Sequence, residues 1–233
     1  MLNCLIRSTV AAAGLVAFTG AAHATILTFD VAGGVSNFQV IDQGYGDNVA
    51  ASPDGAGHSY GVGAEGFTPN TVVSYGSAGE DPSLWTTGYG DLTNSHFNDL
   101  DNDTTFTVRF TADPGYAVTL YDFDIASFLT NGQTIVGLQV RDGGHNSVLY
   151  SQSQTFIIGA THLQIAPNAT ANDLILEIDL TGLGGVSDDI GIDNVRFGER
   201  QLPPPEVPVP AALPLLAAGV GVMGLMGWRR KTA

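Results

Sequence analysis

Apolar and polar residues alternate with a period of two along the middle of the chain. The alternation is clearest from Leu174 to Leu180, where every second residue is leucine or isoleucine. A period of two places successive side chains on opposite faces of a β-strand, so this segment predicts a strand with one buried face. The same reasoning predicts strands at residues 25–29, 38–41, 57–62, 71–75, 105–110, 116–128, 134–140, 147–150 and 190–197.

The longest of these segments, residues 116–128, changes parity along its length. Val118 and Leu120 share one face, whereas Phe123 and Ile125 fall on the other. One extra residue in the strand would restore a common face. The pattern therefore predicts a β-bulge near Tyr121 and Asp122.

Turn-forming residues separate the predicted strands. Asp142, Gly143 and Gly144 lie between two of them and predict a hairpin, and residues 33–102 are dense in Gly, Asn, Asp, Ser and Pro. No helical periodicity of useful length interrupts the series. The fold class predicted is all-β, an antiparallel β-sandwich of two sheets that is jelly-roll-like.

The chain begins with the pattern of a secretory signal peptide. One cation, Arg7, precedes an apolar run from Val10 to Phe18, and Ala22 and Ala24 occupy the small-residue positions of a signal cleavage site. Removal of residues 1–24 would leave a mature chain that begins at Thr25. The single cysteine, Cys4, would leave with the signal, so disulfides would not stabilise the mature protein.

The predicted domain, residues 25–199, is strongly acidic. The whole chain has a formal net charge of −15. Between Thr25 and Arg200 the cations are Arg109, Arg141, Arg196 and Arg200, with no lysine. Nucleic acid is therefore not expected as a partner, because phosphate binding requires a basic surface. Hard cations such as Ca²⁺ suit such a composition.

The C-terminal tail has three parts in a fixed order. A proline-rich segment, residues 200–210, is followed by an uncharged apolar segment at 211–228 and a basic cytoplasmic tail at 229–233. The apolar segment just spans a bilayer core as a single transmembrane helix. Arg229, Arg230 and Lys231 would stop its transfer and stay cytoplasmic.

This tail resembles the C-terminal sorting domains of exported bacterial proteins called PEP-CTERM, in the variant named VPLPA-CTERM. The signature stands here as Val207, Pro208, Val209, Pro210 and Ala211, with Val209 where the family usually has leucine. The resemblance implies an intramembrane processing enzyme of the exosortase class, removal of the helix, and transfer to the envelope or outside. An ordinary membrane anchor is the alternative.

The last predicted strand carries a second resemblance. Residues 189–197, DIGIDNVRF, resemble the closing strand of jelly-roll carbohydrate-binding modules. In such modules an aspartate on this strand often binds a structural Ca²⁺ with groups near the first strand. The resemblance therefore implies a calcium site at Asp193 and Asp30. The alternative is that Asp193 only accepts hydrogen bonds at the sheet edge.

Other patterns of chemistry are incomplete. Asp99, Asp101 and Asp103 have the spacing of an EF-hand start, but Thr104 and Phe110 replace its glycine and bidentate glutamate. The histidines of the domain are single and scattered, which does not predict zinc. No G-x-S-x-G elbow is present, and no two acids stand out as a catalytic pair. No catalytic residue is therefore predicted.

Three aromatic residues in the Gly-rich region, Tyr45, Trp85 and Tyr89, could stack on sugars or anchor the core. Together these features predict a non-enzymatic protein, exported and held in the inner membrane until its tail is processed. An exopolysaccharide matrix is the expected surrounding. A calcium-stabilised carbohydrate-binding module is the alternative, and a hydrolase is the third hypothesis.

Overall fold

The strands of the domain follow the alternation of the sequence. The computed structural model describes residues 23–31, 34–50, 65–77, 79–99, 104–128, 132–157, 159–183 and 189–204. In chain order the strands are β1 His23–Leu27, β2 Gln39–Val40, β3 Val49–Ala50, β4 Glu65–Thr68, β5 Thr71–Tyr75, β6 Pro82–Thr87, β7 Thr93–Asn98, β8 Thr105–Ala112, β9 Tyr116–Ser127, β10 Gln133–Asp142, β11 Ser147–Ile157, β12 Leu163–Ile165, β13 Ala169–Ala171, β14 Asp173–Asp179 and β15 Ile190–Gln201. A short 3-10 helix, Thr181–Leu183, follows β14.

These strands form two antiparallel sheets. The smaller sheet has five strands in the order β11-β10-β14-β8-β5. The larger sheet has ten strands, with the order β2-β6-β7-β15-β1-β4-β3 along its main path, and β9 joins β15 to β12 and β13. All the pairings are antiparallel, which confirms the predicted all-β class.

The core lies between the two sheets. Leu174, Leu176 and Ile178 of β14 are all fully buried, as their alternation predicted. Across the core, the rings of Phe110 on β8 and Phe197 on β15 have centroids 5.0 Å apart. Because both sheets bury their apolar faces against each other, the domain is a β-sandwich.

The central strand of the larger sheet is β15. One edge of β15 pairs with β9 along most of its length. The other edge is shared, since Leu27 of β1 lies opposite Val195 and His96 of β7 lies opposite Ile192. Asp193 and Asn194 therefore stand at the junction where β1 and β7 separate.

The β9–β15 pairing contains two bulges. Asp122 lies opposite Arg196, and Leu120 lies opposite Phe197, so Tyr121 is an extra residue on β9. This confirms the bulge that the parity change predicted. A second irregularity lies between Asp193 and Arg196, around Asn194, which adopts a φ of 50°.

A histidine side chain lies inside the core. His96 is fully buried, with its Nδ1 3.2 Å from the carbonyl oxygen of Ser83. The rings of Phe29, Tyr75 and Phe106 surround it with centroid distances of 5.5, 5.1 and 4.6 Å. Burial lowers the pKa of His96 to about 4, so the imidazole is neutral at pH 7.

Several sequence predictions need correction in the region from residue 33 to residue 102. The turn-rich composition hid β4, β6 and β7, which are strands. The predicted strand at 57–62 lies outside the described residues. The predicted strand at 38–41 is shorter, as β2, Gln39–Val40.

The chain divides into two compact units, Met1–Leu202 and Pro203–Ala233. All described strands lie in the first unit. Most of the predicted signal peptide, the sorting motif Val207–Ala211 and the cluster Arg229–Lys231 lie outside the described residues. Within the described residues, no helix has the length and apolar character needed to cross a bilayer.

Candidate functional site

The junction on β15 opens a cleft on the outer face of the larger sheet. It has a volume of about 240 Å³ and contains both aspartates that the sequence singled out, Asp30 and Asp193. We call it the carboxylate cleft. Its lining residues are Thr28, Asp30, Asp91, Leu92, Thr93, His162, Asp193 and Asn194.

Asp30 reaches the cleft from the segment that follows β1. The Thr28 hydroxyl donates to Asp30 Oδ2 at 3.0 Å, and Asn94 Nδ2 donates to Asp30 Oδ1. Phe29, which lies between Thr28 and Asp30 in the chain, adopts a φ of 53° and buries its ring in the core. This reversed backbone turns Asp30 toward β7 and β15.

Asp193 is only 5% exposed although it lines the cleft. The backbone N–H of Asn194 donates to its Oδ1 at 2.6 Å. Burial, and then the nearby charges of Asp30 and Asp124, raise the pKa of Asp193 to about 8. Burial, and then the charges of Asp193 and Asp30, also raise the pKa of Tyr45 above its usual value.

Asp124 on β9 lies beside Asp193, because the two residues are paired across the strands. Its Oδ2 accepts a hydrogen bond from Asn194 Nδ2 at 3.0 Å. Its Oδ1 is buried and accepts no hydrogen bond, and His162 Nε2 stands 3.8 Å away. The bulge at Asn194 thus directs its side-chain amide at the buried carboxylate of Asp124, whose Oδ1 accepts no hydrogen bond.

Two loops meet at the far side of the cleft. The backbone N–H of His162 donates to Asp91 Oδ1 at 2.7 Å, and His162 Nδ1 lies 2.9 Å from the same oxygen. These hydrogen bonds from His162 lower the pKa of Asp91. A Cβ at Gly90 would lie 3.0 Å from the backbone carbon of Thr161, so only glycine permits this close approach of the loops.

Aromatic side chains form an exposed patch on the same sheet. Phe38 and Phe128 are 55% and 41% exposed, and Val40 is 64% exposed. Trp85 lies between the two phenylalanines, with centroid distances of 4.6 Å to Phe38 and 5.7 Å to Phe128. We call Phe38, Val40, Trp85 and Phe128 the aromatic patch.

A small buried cluster supports the aromatic patch. Tyr89, Leu92, Phe97 and Ala126 form this cluster on the outer side of the larger sheet, and Trp85 packs against it. A Cβ at Gly191 would lie 2.9 Å from the Tyr89 ring, so the glycine lets that ring lie directly on β15. The patch is therefore fixed to the sheet by packing.

Polar groups without charge border the aromatic patch. Asn37 Oδ1 accepts hydrogen bonds from the Thr86 N–H at 3.0 Å and from the Thr86 hydroxyl at 2.7 Å. Residues 36–41 and 82–90, which carry Phe38, Val40 and Trp85, contain no charged residue, and the backbone N–H of Phe128 donates to the carbonyl oxygen of Asp189 at 2.8 Å. The patch is thus an apolar surface with amides and hydroxyls at its rim.

Of the three aromatic residues considered for sugar stacking, Trp85 alone keeps that possibility. Tyr45 and Tyr89 are 1% and 2% exposed, so their rings anchor the core and the small cluster. Phe38 and Phe128 were missed by the sequence reasoning. Phe38 adopts a φ of 62°, which nothing in the residue type signals.

The remaining candidates do not assemble a site. His145 pairs with Asp142 at a hairpin turn, and His162 and His96 stand apart from it. His58 and Asp101–Asp103 lie outside the described residues. Across the described ranges, no group of three or more His, Cys, Asp or Glu side chains is arranged to hold a metal ion.

No family model matches the chain, and no curated protein matches it. Among solved structures, the Stig cyclase Fisc from Fischerella sp. TAU is 14% identical with a TM-score of 0.38, covering 78% of this chain and all, 100%, of that chain. The module CBM27-1 of Caldicellulosiruptor saccharolyticus, solved with mannohexaose, is 15% identical with a TM-score of 0.34, covering 55% and 96%. The module TmCBM61, solved with β-1,4-galactotriose, is 12% identical with a TM-score of 0.29, covering 71% and 99%. The β-sandwich assignment rests on the pairing of the described strands.

Proposed function

We propose that the domain is a non-catalytic module that binds carbohydrate through the aromatic patch. The observation that carries this proposal is the exposure of Phe38 and Phe128 on either side of the half-buried Trp85. Contiguous apolar surface of this kind marks an interaction site on a folded domain. Aromatic faces bordered by amides and hydroxyls suit the apolar faces and hydroxyl groups of sugar rings.

The negative charge of the protein limits which polysaccharides the domain can bind. A formal net charge of −15 repels polyanions, so acidic polysaccharides are disfavoured. The segments that carry Phe38, Val40 and Trp85, residues 36–41 and 82–90, have no charged residue. The ligand is therefore a polysaccharide without net negative charge.

The termini supply the rest of the proposal. Residues 1–24 direct export, and the sorting motif Val207–Ala211 with its apolar segment and Arg229–Lys231 holds the chain in the inner membrane. An exosortase-type enzyme then removes the tail, and the domain reaches the cell envelope or the extracellular polysaccharide. Sequence features alone support this part of the proposal.

Calcium at Asp30 and Asp193 stays a prediction. The two carboxylates do lie in one cleft, as the resemblance implied. Asp30 already accepts hydrogen bonds from Thr28 and Asn94, and the described residues offer no group of three acidic or histidine side chains arranged around an ion. Calcium in this cleft would therefore need carbonyl or amide oxygens in addition to the two carboxylates.

A glycan array probed with the full-length protein in detergent tests carbohydrate binding. We expect binding to non-acidic glycans, reduced at least about tenfold by Phe38→Ala or Trp85→Ala because each change removes stacking surface. The matched control is Phe67→Ala on β4, since Phe67 is 40% exposed but lies outside the aromatic patch. Absence of binding to every glycan, or equal loss with the control, contradicts the proposal.

A further inference from the structure

The two edge strands of the smaller sheet differ in what covers them. β5 lies at one edge and β11 at the other. On β5 the backbone N–H of Val73 donates to Asp47 Oδ1 at 2.6 Å, and the backbone N–H of Tyr75 donates to Gln43 Oε1 at 2.9 Å. Side chains of the preceding segment therefore cap this edge and close it to further strand pairing.

The edge formed by β11 carries no such cap in the described part of the chain. β11, Ser147–Ile157, pairs with β10 on one side. On its other side, no backbone hydrogen bond joins it to another described residue. Because an antiparallel strand directs the N–H and C=O of every second residue away from its partner, this side presents a row of donors and acceptors. Such a row is a template for another strand.

Charge and proline, which commonly protect edge strands, are absent from β11. Its sequence, SVLYSQSQTFI, contains neither. Val148 and Leu149 are 54% and 43% exposed. The pairing with β10 is irregular at Leu149, which is an extra residue, and at Gln154, which adopts a φ of 48°. The segment between these two points, residues 150–153, is regular, so it is the part of the edge that can accept another strand.

The charge distribution indicates which partner can approach this edge. The chain has a formal net charge of −15, yet residues 143–172 contain no Asp, Glu, Lys or Arg. This range includes β12 and β13, which pair with β9 in the larger sheet, and β13 contacts β11. The three strands on this side of the sandwich thus carry no charge. Because copies of an acidic chain repel each other, a second copy approaches this side at the lowest electrostatic cost.

A second copy of β11 is also complementary to the first. In an antiparallel pair related by a twofold axis, the outward N–H groups of each strand meet carbonyl oxygens of the other. The axis can pass through Ser151 or Gln152, in the middle of the regular segment. Both copies use the same surface, and the opposite edge, β5, is capped. The assembly therefore closes at two copies.

We infer that the chain forms a twofold dimer in which two β11 strands pair antiparallel and join the two smaller sheets into one continuous sheet. Uncharged serine and glutamine side chains lie opposite one another across this pair. The inference does not depend on carbohydrate binding. It also gives a physical reason for the lack of charge in residues 143–172, because a charge there would meet its own copy across the axis.

Sedimentation equilibrium of the full-length protein in detergent tests this inference. We expect a dimer at concentrations up to about 100 μM. Ser151→Lys should raise the dissociation constant at least about tenfold, because the axis brings two like charges together. The matched control is Val72→Lys, which places the same charge on the capped strand β5, where Val72 is 39% exposed. This control should leave the dissociation constant unchanged, and melting temperatures show that both variants are folded.

Cysteine variants test the register of the pair. Ser151→Cys or Gln152→Cys places two thiols opposite each other if the axis passes through that residue, which is close enough for a disulfide. Mild oxidation should therefore produce a disulfide-linked dimer with one of the two. Val72→Cys should not be cross-linked, and neither should the wild-type chain, whose single cysteine is Cys4.

Each remaining outcome overturns the inference. A monomer at every concentration shows that the edge does not pair. A dimer that survives Ser151→Lys places the contact elsewhere, for example in the apolar segment 211–228. Equal weakening by Ser151→Lys and Val72→Lys shows an effect of charge without a location. Failure of both Ser151→Cys and Gln152→Cys to form a disulfide contradicts the antiparallel register.

Discussion

The two faces of the larger sheet are built in different ways. The inner face consists of aliphatic and aromatic side chains such as Leu120, Ile125 and Phe197, each fully buried against the smaller sheet. The outer face carries a small aromatic cluster, an exposed patch and a cleft with buried carboxylates. The same strands therefore supply both the core and the proposed binding surface, because successive side chains point to opposite faces.

The outer face loses less stability on substitution than the inner face does. On the inner face, the buried side chains are close-packed, so the truncation of any of them leaves a cavity. On the outer face, Phe38 and Phe128 keep much of their surface in water, so their removal leaves no cavity. The proposed binding surface thus lies where truncation costs little stability.

The largest expected effect is a truncation on the inner side of the sandwich. Phe106→Ala should lower the free energy of unfolding by about 3–5 kcal/mol, since it removes a buried ring and leaves a cavity. Phe128→Ala, the matched change on the outer face, should cost less than about 1 kcal/mol. Urea unfolding of both variants measures the difference, and equal losses would show that the two faces do not differ in this way.

The second effect is a loss of stability in acid caused by His96. The unfolded chain takes up a proton near pH 6.5, but the folded chain does so only near pH 4. Stability is therefore complete above about pH 6.5 and falls by roughly 3 kcal/mol as the pH drops to 4. His96→Leu should flatten this fall by a similar amount. Unfolding curves at pH 7 and 4.5 test it, and identical pH dependence in the two proteins would exclude a buried neutral imidazole.

The third effect has the opposite sign and belongs to the outer face. The pKa of Asp193 is raised from 3.8 to about 8, so the folded chain holds a proton that the unfolded chain has lost. Its contribution is favourable below about pH 4 and is lost as the pH rises to 8. Asp193→Asn should thus raise the melting temperature at pH 8 by at least several degrees, with little change at pH 4. An unchanged or lower melting temperature at pH 8 would mean that a cation or a partner balances this carboxylate.

Sequence reasoning succeeded where one face of a strand is buried and the other is wet. Leu174, Leu176 and Ile178 show this in β14, a central strand of the smaller sheet. The parity change at Tyr121 correctly predicted a bulge, because an extra residue must invert the pattern that follows it. Sequence reasoning failed in β6 and β7, where the buried polar residues Ser83, Ser95 and Asn98 obscure the alternation.

The candidate site could be predicted only in part. Asp30 and Asp193 were paired by resemblance, and the structure brings them into one cleft. Asp91, Asp124 and His162 could not be added, since they come from two loops and a strand far apart in the chain. Phe38 escaped notice because its exposure depends on a left-handed backbone conformation that phenylalanine rarely adopts.

The position of β15 also sets the order of events during synthesis. β15 is the last strand of the domain, yet it pairs with β1, β7 and β9, which come from the start and the middle of the chain. These pairings cannot form until residue 201 has been made, so the larger sheet closes late. Ala24, at the predicted signal cleavage site, lies within β1 opposite Gly198. We therefore expect a peptidase that cuts after Ala24 to act before β1 pairs with β15.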